Sequence, residues 1–261
     1  MPELPDLTLF ARNLKKQVLG KPIASATIHN RRPTDVPAET FAAAVAGAEI
    51  VDIVREGKEL HFLLSNQNRF GVHLMLHGEF GLTTADKLDA VRSKIVSLTF
   101  RDGSALAVSD FDSLCKVALN PPPSKVPDAL SPAFDRAYLA GIARRKTTTL
   151  KGFLVDQKIV RGIGNAYADE ILWKANLSPE CTVGKLPEEA LADLHAAIGS
   201  VLTEAIETLE RLTPDAIRGE ERSFLRVHNP RRRTTEDGEP IVVKQIANKQ
   251  TYYTKKQRLY L

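Results

Sequence analysis

Three consecutive prolines, Pro121, Pro122 and Pro123 in the run NPPPSKVPD, constrain the fold of this chain more than any other feature. Proline lacks an amide donor and fixes φ, so this run belongs neither to a helix interior nor to a central strand. It separates two halves of different periodicity. From Pro22 to about Val117, short β-type segments such as EIVDIVREG, ELHFLLS, RFGVHLMLHG, SKIVSLTF and SALAVSD alternate with the breaks NRRP, SNQN and RDGS. That pattern predicts an antiparallel sandwich or barrel. Ahead of it, Leu7, Phe10, Leu14 and Val18 recur at helical spacing, and Gly20 ends the run. Beyond the prolines the periods are helical: SPAFDRAYLAGIARR, TTTLKGFLVDQ, NAYADEILWKA and PEEALADLHAAIGSVLTEAIETLERL, followed by PIVVKQIANKQTYYTKK, a β-hairpin turning near Asn248. The expected fold is α+β in two domains. An N-terminal helix and antiparallel β-sandwich occupy 1–120, a proline-rich linker 121–130, a helical domain 131–220, and a hairpin segment 221–261.

At 261 residues the chain can build its cores without disulfide or metal staples. Only two cysteines occur, Cys115 and Cys181, which excludes a disulfide framework and a four-cysteine zinc site. Both are read as small buried hydrophobes. With no apolar run of about 18 residues and no basic, hydrophobic leader, neither a membrane span nor a signal peptide is expected. The expected compartment is the cytoplasm, near the nucleoid of a bacterium-like cell. The net charge of +4 is unevenly placed: from Arg222 to Leu261 there are ten Lys or Arg against three Asp or Glu. A basic segment of this kind suits a polyanionic partner, and equally a solvated tail.

Two short motifs carry chemistry. The chain begins Met-Pro-Glu-Leu-Pro-Asp. Removal of Met1 would expose the secondary amine of Pro2, and an α-amino group titrates at about 7.7–8.0, close enough to neutrality to attack an aldehyde or sugar carbon. Glu3 would then move protons to or from the sugar. Further along, Gly162-Ile163-Gly164-Asn165 separates two amphipathic helices. Amides at the second helix start, with the Asn165 side chain, would make an anion site for a DNA phosphate, although any helical corner carries such glycines.

Together, the N-terminal PELP, the string DQKIVRGIGNAYADEIL and the C-terminal hairpin resemble the formamidopyrimidine-DNA glycosylase and endonuclease VIII family, in the family's order and over nearly the whole chain. The resemblance implies a helix–two-turn–helix in the helical domain and a bifunctional DNA glycosylase and abasic-site lyase of base-excision repair. Pro2 would be the Schiff-base nucleophile, Glu3 its proton-transfer partner, and Lys58 of REGKEL a phosphate contact near the lesion. His73, Lys158, Asn165, Lys249 and Lys255 would contact DNA. Glu170 matches a second acidic residue, with a structural role as the alternative. The family's chemistry turns the damaged nucleotide out of the stack into a pocket between the domains. It then eliminates the 3′ phosphate, and usually the 5′ phosphate, through an iminium. It implies damaged DNA as partner to a monomer, with no membrane.

Three departures stand out. Family members often bind zinc through C-x2-C-x16-C-x2-C in the hairpin, where this chain has Thr234, Asp237, Thr254 and Gln257. These imply a zincless finger and no cofactor, with packing of Ile241, Val243, Tyr252 and Tyr253 in the metal's place. Lys255 stands where the family has an arginine and lacks its bidentate fork. The loops that fill the void left by the extruded base are also altered. Leu76 takes a Met position, Met75 replaces a glycine, Asp112 replaces an arginine and Leu114 a phenylalanine, leaving Met75, Leu76, Phe111 and Leu114 as apolar wedges or core packing. Finally, the short stretch RGEERSFLRVHNP favours the endonuclease VIII branch or an unusual substrate. A non-catalytic binder of damaged DNA and a glycosylase for single-stranded or bulky lesions remain alternatives.

Overall fold

The computed structural model describes residues 1–30, 32 and 34–261. Helix α1 runs Leu4–Val18, with Asp6 in its first turn and Lys15 and Lys16 in its last, complementing the helix dipole. Gly20 stops it at φ +70°. Among the described residues there are ten strands: β1 Ile23–Ile28, β2 Ile50–Glu56, β3 Glu59–Leu64, β4 Arg69–His73, β5 Glu79–Thr84, β6 Lys94–Phe100, β7 Ser104–Ser109, β8 Lys116–Leu119, β9 Val242–Ile246 and β10 Lys249–Tyr253, of which β5 and β8 lie outside the segments singled out in the sequence. Strands β1-β6-β7-β5 form one four-stranded sheet, β2-β3-β4-β8 a second, and β9-β10 a hairpin, all antiparallel. The NRRP turn falls in part on Arg31 and Pro33, outside the described residues.

Among the described residues the chain divides into two compact units. The first comprises Met1–Pro2, Asp6–Pro123 and Thr213–Glu220. Its core joins Leu7, Phe10 and Leu14 of α1 to inward residues of both large sheets, with Phe62 stacked on Phe70 at 4.6 Å. One helix within it went unread in the sequence: α2, Ala38–Val45, buries Phe41 and Val45. Eight alanine-rich residues give too little periodicity to separate a helix from a buried strand, while their high helix propensity settles the conformation. The segment RFGVHLMLHG also differs from a continuous strand. It ends at His73 and turns, with Met75 at φ +53°.

The second unit comprises Glu3–Pro5, Ser124–Leu212 and Glu221–Leu261. It holds α3 Arg136–Ala143, α4 Leu150–Val155, α5 Asn165–Lys174 and α6 Glu188–Leu212. Asp135 caps α3 by accepting from the Tyr138 amide at 2.7 Å. The unit borders differ from the expected 121–130, 131–220 and 221–261. Residues 124–130 join the second unit because Ala129 enters its core and donates its amide to the Arg161 carbonyl, while the Arg161 amide donates to the Pro127 carbonyl. Thr213–Glu220 returns to the first, where Asn13 donates to the carbonyls of Pro214 and Ala216. The hairpin segment groups with the helices, as Tyr252 donates its amide to Asp169. Its turn, Ala247-Asn248, has positive φ at both residues, the geometry of a two-residue hairpin loop. Among the described residues, no helix is long and apolar enough to cross a membrane.

Candidate functional site

In the first unit, Pro2 lies in the wall of a cavity of ≈ 460 Å³ shared with Leu76, His77, Arg92, Asp110 and Phe111. Leu76 is 53% and Phe111 68% exposed, unusual for large apolar side chains in well-packed loops. Asp110 sets the path of the loop that carries Phe111. Its buried carboxylate accepts amide hydrogen bonds from Asp112, Leu114 and Cys115 at 3.0, 2.7 and 2.7 Å. Opposite, Gly78 closes a turn by donating to the Leu74 carbonyl at 2.9 Å, and a Cβ there would meet that oxygen at 2.4 Å. Across the rim, the rings of His77 and Phe111 stack at 4.5 Å, and His77 Nδ1 lies 2.7 Å from Asp112 Oδ2. Two of the four wedge candidates do not reach this cavity: Leu114 lines a separate one beside Cys115, and Met75 is half-buried in the turn. Burial, with Asp110 nearby, pushes the Cys115 thiol up to about 12, so it remains an inert thiol.

Lys58 follows Gly57 (φ +63°) in the β2–β3 turn and is only 7% exposed. It acts electrostatically on His73. Burial first, then the charges of Lys58 and Lys116, hold the His73 imidazole below its ordinary range against the opposing pull of Glu59. Since His73 Nδ1 accepts from the Met75 amide at 3.0 Å, the neutral ring carries its proton on Nε2.

In the second unit, the expected phosphate site at the start of α5 has an internal occupant. The Glu3 carboxylate accepts amide hydrogen bonds from Gly164, Ala166 and Tyr167 at 2.7, 2.9 and 3.3 Å. A carboxylate is the anion a helix N-terminus favours, so these amides orient Glu3 and are not left for DNA. Gly164 is required by this approach, because a Cβ there would lie 2.3 Å from Glu3 Cδ. The turn is tied by Gln157, whose side chain accepts from Gly162 and donates to the carbonyls of Val155 and Ile163. Asn165 donates to the Gln250 carbonyl at 3.0 Å, while its buried Oδ1 takes no partner among the described residues. Lys158 is exposed on the same turn, and Lys249 and Lys255 are exposed on the hairpin segment.

Glu170 is buried and accepts from the amides of Arg226, Val227 and His228 at 2.7–2.9 Å. Burial pushes its carboxyl up against the opposing pull of those three donors. This bonding supports the structural alternative for Glu170, as the holder of segment 226–228. Sequence reasoning missed its neighbour: Lys151 and Asp169, both fully buried, pair at 2.6 Å. Asp169 also receives His228 Nδ1 at 2.6 Å and the Tyr252 amide at 3.0 Å. Burial pulls the Lys151 ammonium below the usual lysine range, while Asp169 acts to hold it charged. The KGFL and ADE strings place Lys151 and Asp169 on successive helices, the only signal that could have paired them.

At the finger positions, Thr254 and Gln257 are buried and Thr234 and Asp237 exposed. Gln257 accepts from the Thr254 amide and donates to the Leu177 carbonyl, both at 2.7 Å. Among the described residues, no group of three or more His, Cys, Asp or Glu is arranged to hold a metal ion. Of the apolar residues expected to support the hairpin, Tyr252 is buried but Val243, opposite it on β9, is about half exposed.

Comparison with known proteins agrees with this architecture. Residues 1–116 match the formamidopyrimidine-DNA glycosylase N-terminal domain and residues 126–214 the formamidopyrimidine-DNA glycosylase H2TH domain. The chain is 33% identical to formamidopyrimidine-DNA glycosylase of Brevibacillus brevis over 79% of its own length and 78% of that protein's. With the Enterococcus faecalis protein of the same name it is 31% identical over 97% of this chain and 95% of the other. Crystal structures of Lactococcus lactis Fpg are similar at 26% identity. One, in complex with abasic-site DNA, has a TM-score of 0.84 over 97% of each chain. Another, with FAPY-dG DNA, reaches 0.85 over 97% of this chain and 98% of that one. The fold and site define a two-domain α+β protein with an N-terminal helix, a β-sandwich and a helix–two-turn–helix. The chain belongs to the formamidopyrimidine-DNA glycosylase family.

Proposed function

We propose that this chain is a DNA glycosylase and abasic-site lyase of base-excision repair, acting on damaged DNA as a monomer in the cytoplasm. The observation that carries the reading is Pro2 in the wall of a cavity rimmed by exposed Leu76 and Phe111. Once Met1 is removed, the Pro2 nitrogen attacks C1′ of the damaged nucleotide and the base leaves with a proton. Protonation of O4′ and breakage of the C1′–O4′ bond open the sugar, and the iminium so formed between C1′ and the Pro2 nitrogen acidifies the C2′ proton. Its loss breaks the C3′–O bond and releases the 3′ phosphate. Glu3, oriented by three amides, moves protons to or from the sugar. Lys58, His73, Lys158, Asn165, Lys249 and Lys255 contact phosphates, and Leu76 and Phe111 enter the void. Names of relatives that act on formamidopyrimidine DNA and structures of one bound to abasic-site DNA support this reading.

The test is an incision panel over oxidised purines, oxidised pyrimidines, alkylated bases and abasic sites, with borohydride trapping of the covalent adduct. Tight, salt-dependent binding with no incision and no adduct would instead make the protein a non-catalytic binder.

Two predictions follow from the geometry. Gly164→Ala pushes the Glu3 carboxylate off its amides and is expected to lower incision by roughly 10²–10⁴-fold with far-UV circular dichroism unchanged. Wild-type rates in that variant would mean that Glu3 placement is irrelevant. We further propose that the finger holds no zinc, because Thr234, Asp237, Thr254 and Gln257 do not make a tetrahedral zinc donor set. Dialysis against a chelator is expected to leave the melting midpoint and DNA affinity unchanged; a drop restored by added zinc would refute this.

A further inference from the structure

A second cavity, of ≈ 200 Å³, opens within the second unit between α5, α6 and residues 224–226. Tyr167, Val201, Ala205 and Phe224 line it, and Trp173 of α5, the only tryptophan in the chain, is half-buried in its wall. We propose that this cavity binds a single nucleotide, with the base against Trp173 and the phosphate held by Arg211 and Arg226. The nucleotide arrives either as a free nucleoside monophosphate or as part of an unpaired strand.

The wall is apolar and aromatic, while the rim carries charges that do not all cancel. Lys174 and Glu204 pair at 3.8 Å, and Glu170 turns its carboxylate to the amides of residues 226–228. Two cations remain. Arg226 sets its guanidinium over the Trp173 ring, 5.6 Å from the centroid, and Arg211 makes a long contact of 3.4 Å to Thr208 Oγ1. Among the described residues neither guanidinium meets a carboxylate. Two such groups beside an indole suit a ligand that is flat and aromatic at one end and anionic at the other. The guanidinium fork matches a phosphate through parallel N–H···O bonds, and indole and guanidinium planes both stack bases. The cavity has room for one base and is smaller than the pockets that enclose larger ligands.

Because Trp173 is the only indole, its fluorescence, excited beyond the tyrosine band, reads the cavity directly. The full chain is titrated with deoxyadenosine monophosphate, deoxyadenosine, inorganic phosphate and a short oligodeoxyadenosine strand. Saturable quenching by the monophosphate is expected, with deoxyadenosine about five- to tenfold weaker. Arg211→Ala, at an exposed position in the last turn of α6, is expected to weaken the monophosphate by a similar factor without moving the thermal melt. Arg226→Ala should weaken it too. Quenching by the strand and not by the monophosphate, weakened in the same two variants, supports the site and assigns its nucleotide to unpaired DNA. Quenching that both arginine variants leave unchanged overturns the proposal. So does equal quenching by deoxyadenosine or by inorganic phosphate, or no saturable quenching by any of the four. The titration needs no incision, so its failure leaves the glycosylase reading intact.

Discussion

Replacing Pro2 with glycine, or acetylating the Pro2 amine, is expected to abolish the borohydride-trapped adduct with abasic DNA. Strand cleavage should fall by roughly 10³–10⁶-fold, the range seen when a covalent nucleophile is removed. Glycine keeps an amine but gives up the secondary nitrogen whose adduct is an iminium without a further proton to lose. Acetylation removes the nucleophile altogether, so it should be the more severe change. Retaining Met1 should act likewise, since an amide nitrogen at Pro2 has no free lone pair for C1′. A mass spectrum establishing the N-terminus must accompany each measurement. A trapped adduct of undiminished yield in the acetylated protein would move the nucleophile to a lysine, with Lys58 the first to test because the β2–β3 turn leaves it only 7% exposed.

The second large effect concerns stability. Asp169→Ala removes a buried carboxylate that meets Lys151, His228 and the Tyr252 amide. The Lys151 ammonium would then be buried with the Asn165 carbonyl, 2.7 Å away, as its remaining acceptor among the described residues. Breaking such a pair from one side costs roughly 3–5 kcal/mol, largely through the charge left behind. For a protein of this size that corresponds to a fall of about 6–20 °C in melting midpoint. Lys151→Met should cost less, because Asp169 retains two of its donors and methionine fills much of the vacated volume. Thermal melts of both variants check the order. Equal midpoints, or a milder loss in Asp169→Ala, would show that the pair is not what holds α4, α5 and β10 together.

Much of the architecture was legible from periodicity and punctuation. The apolar spacing of Leu7, Phe10, Leu14 and Val18 marks α1, and Gly20 marks its end, because both depend on neighbours within a few residues. The hairpin was legible for the same reason. Helix α2 was not, since an eight-residue alanine-rich helix has little pattern of its own. Within the candidate site, the types of residue were readable and their partners were not. Glu3 lies 161 residues from the amide at Gly164, and nothing local in PELP shows that a helix start will receive its carboxylate. The same holds for His77 and Asp112, 35 residues apart, and for Lys151 and Asp169. Such pairings arise from tertiary packing, which a single sequence does not encode at any fixed spacing.

Asp110 has a consequence for how specificity in such a chain can change. Its carboxylate holds the loop through the amides of residues 112, 114 and 115, and not through the side chains of Phe111, Asp112 or Leu114. Phe111, Asp112 and Leu114 are correspondingly exposed to varying degrees. Loop path and loop chemistry are therefore separable. A lineage can exchange an arginine for an aspartate at the tip, acquire a histidine on the facing turn, and explore a different set of substrates while the backbone beneath stays where it was.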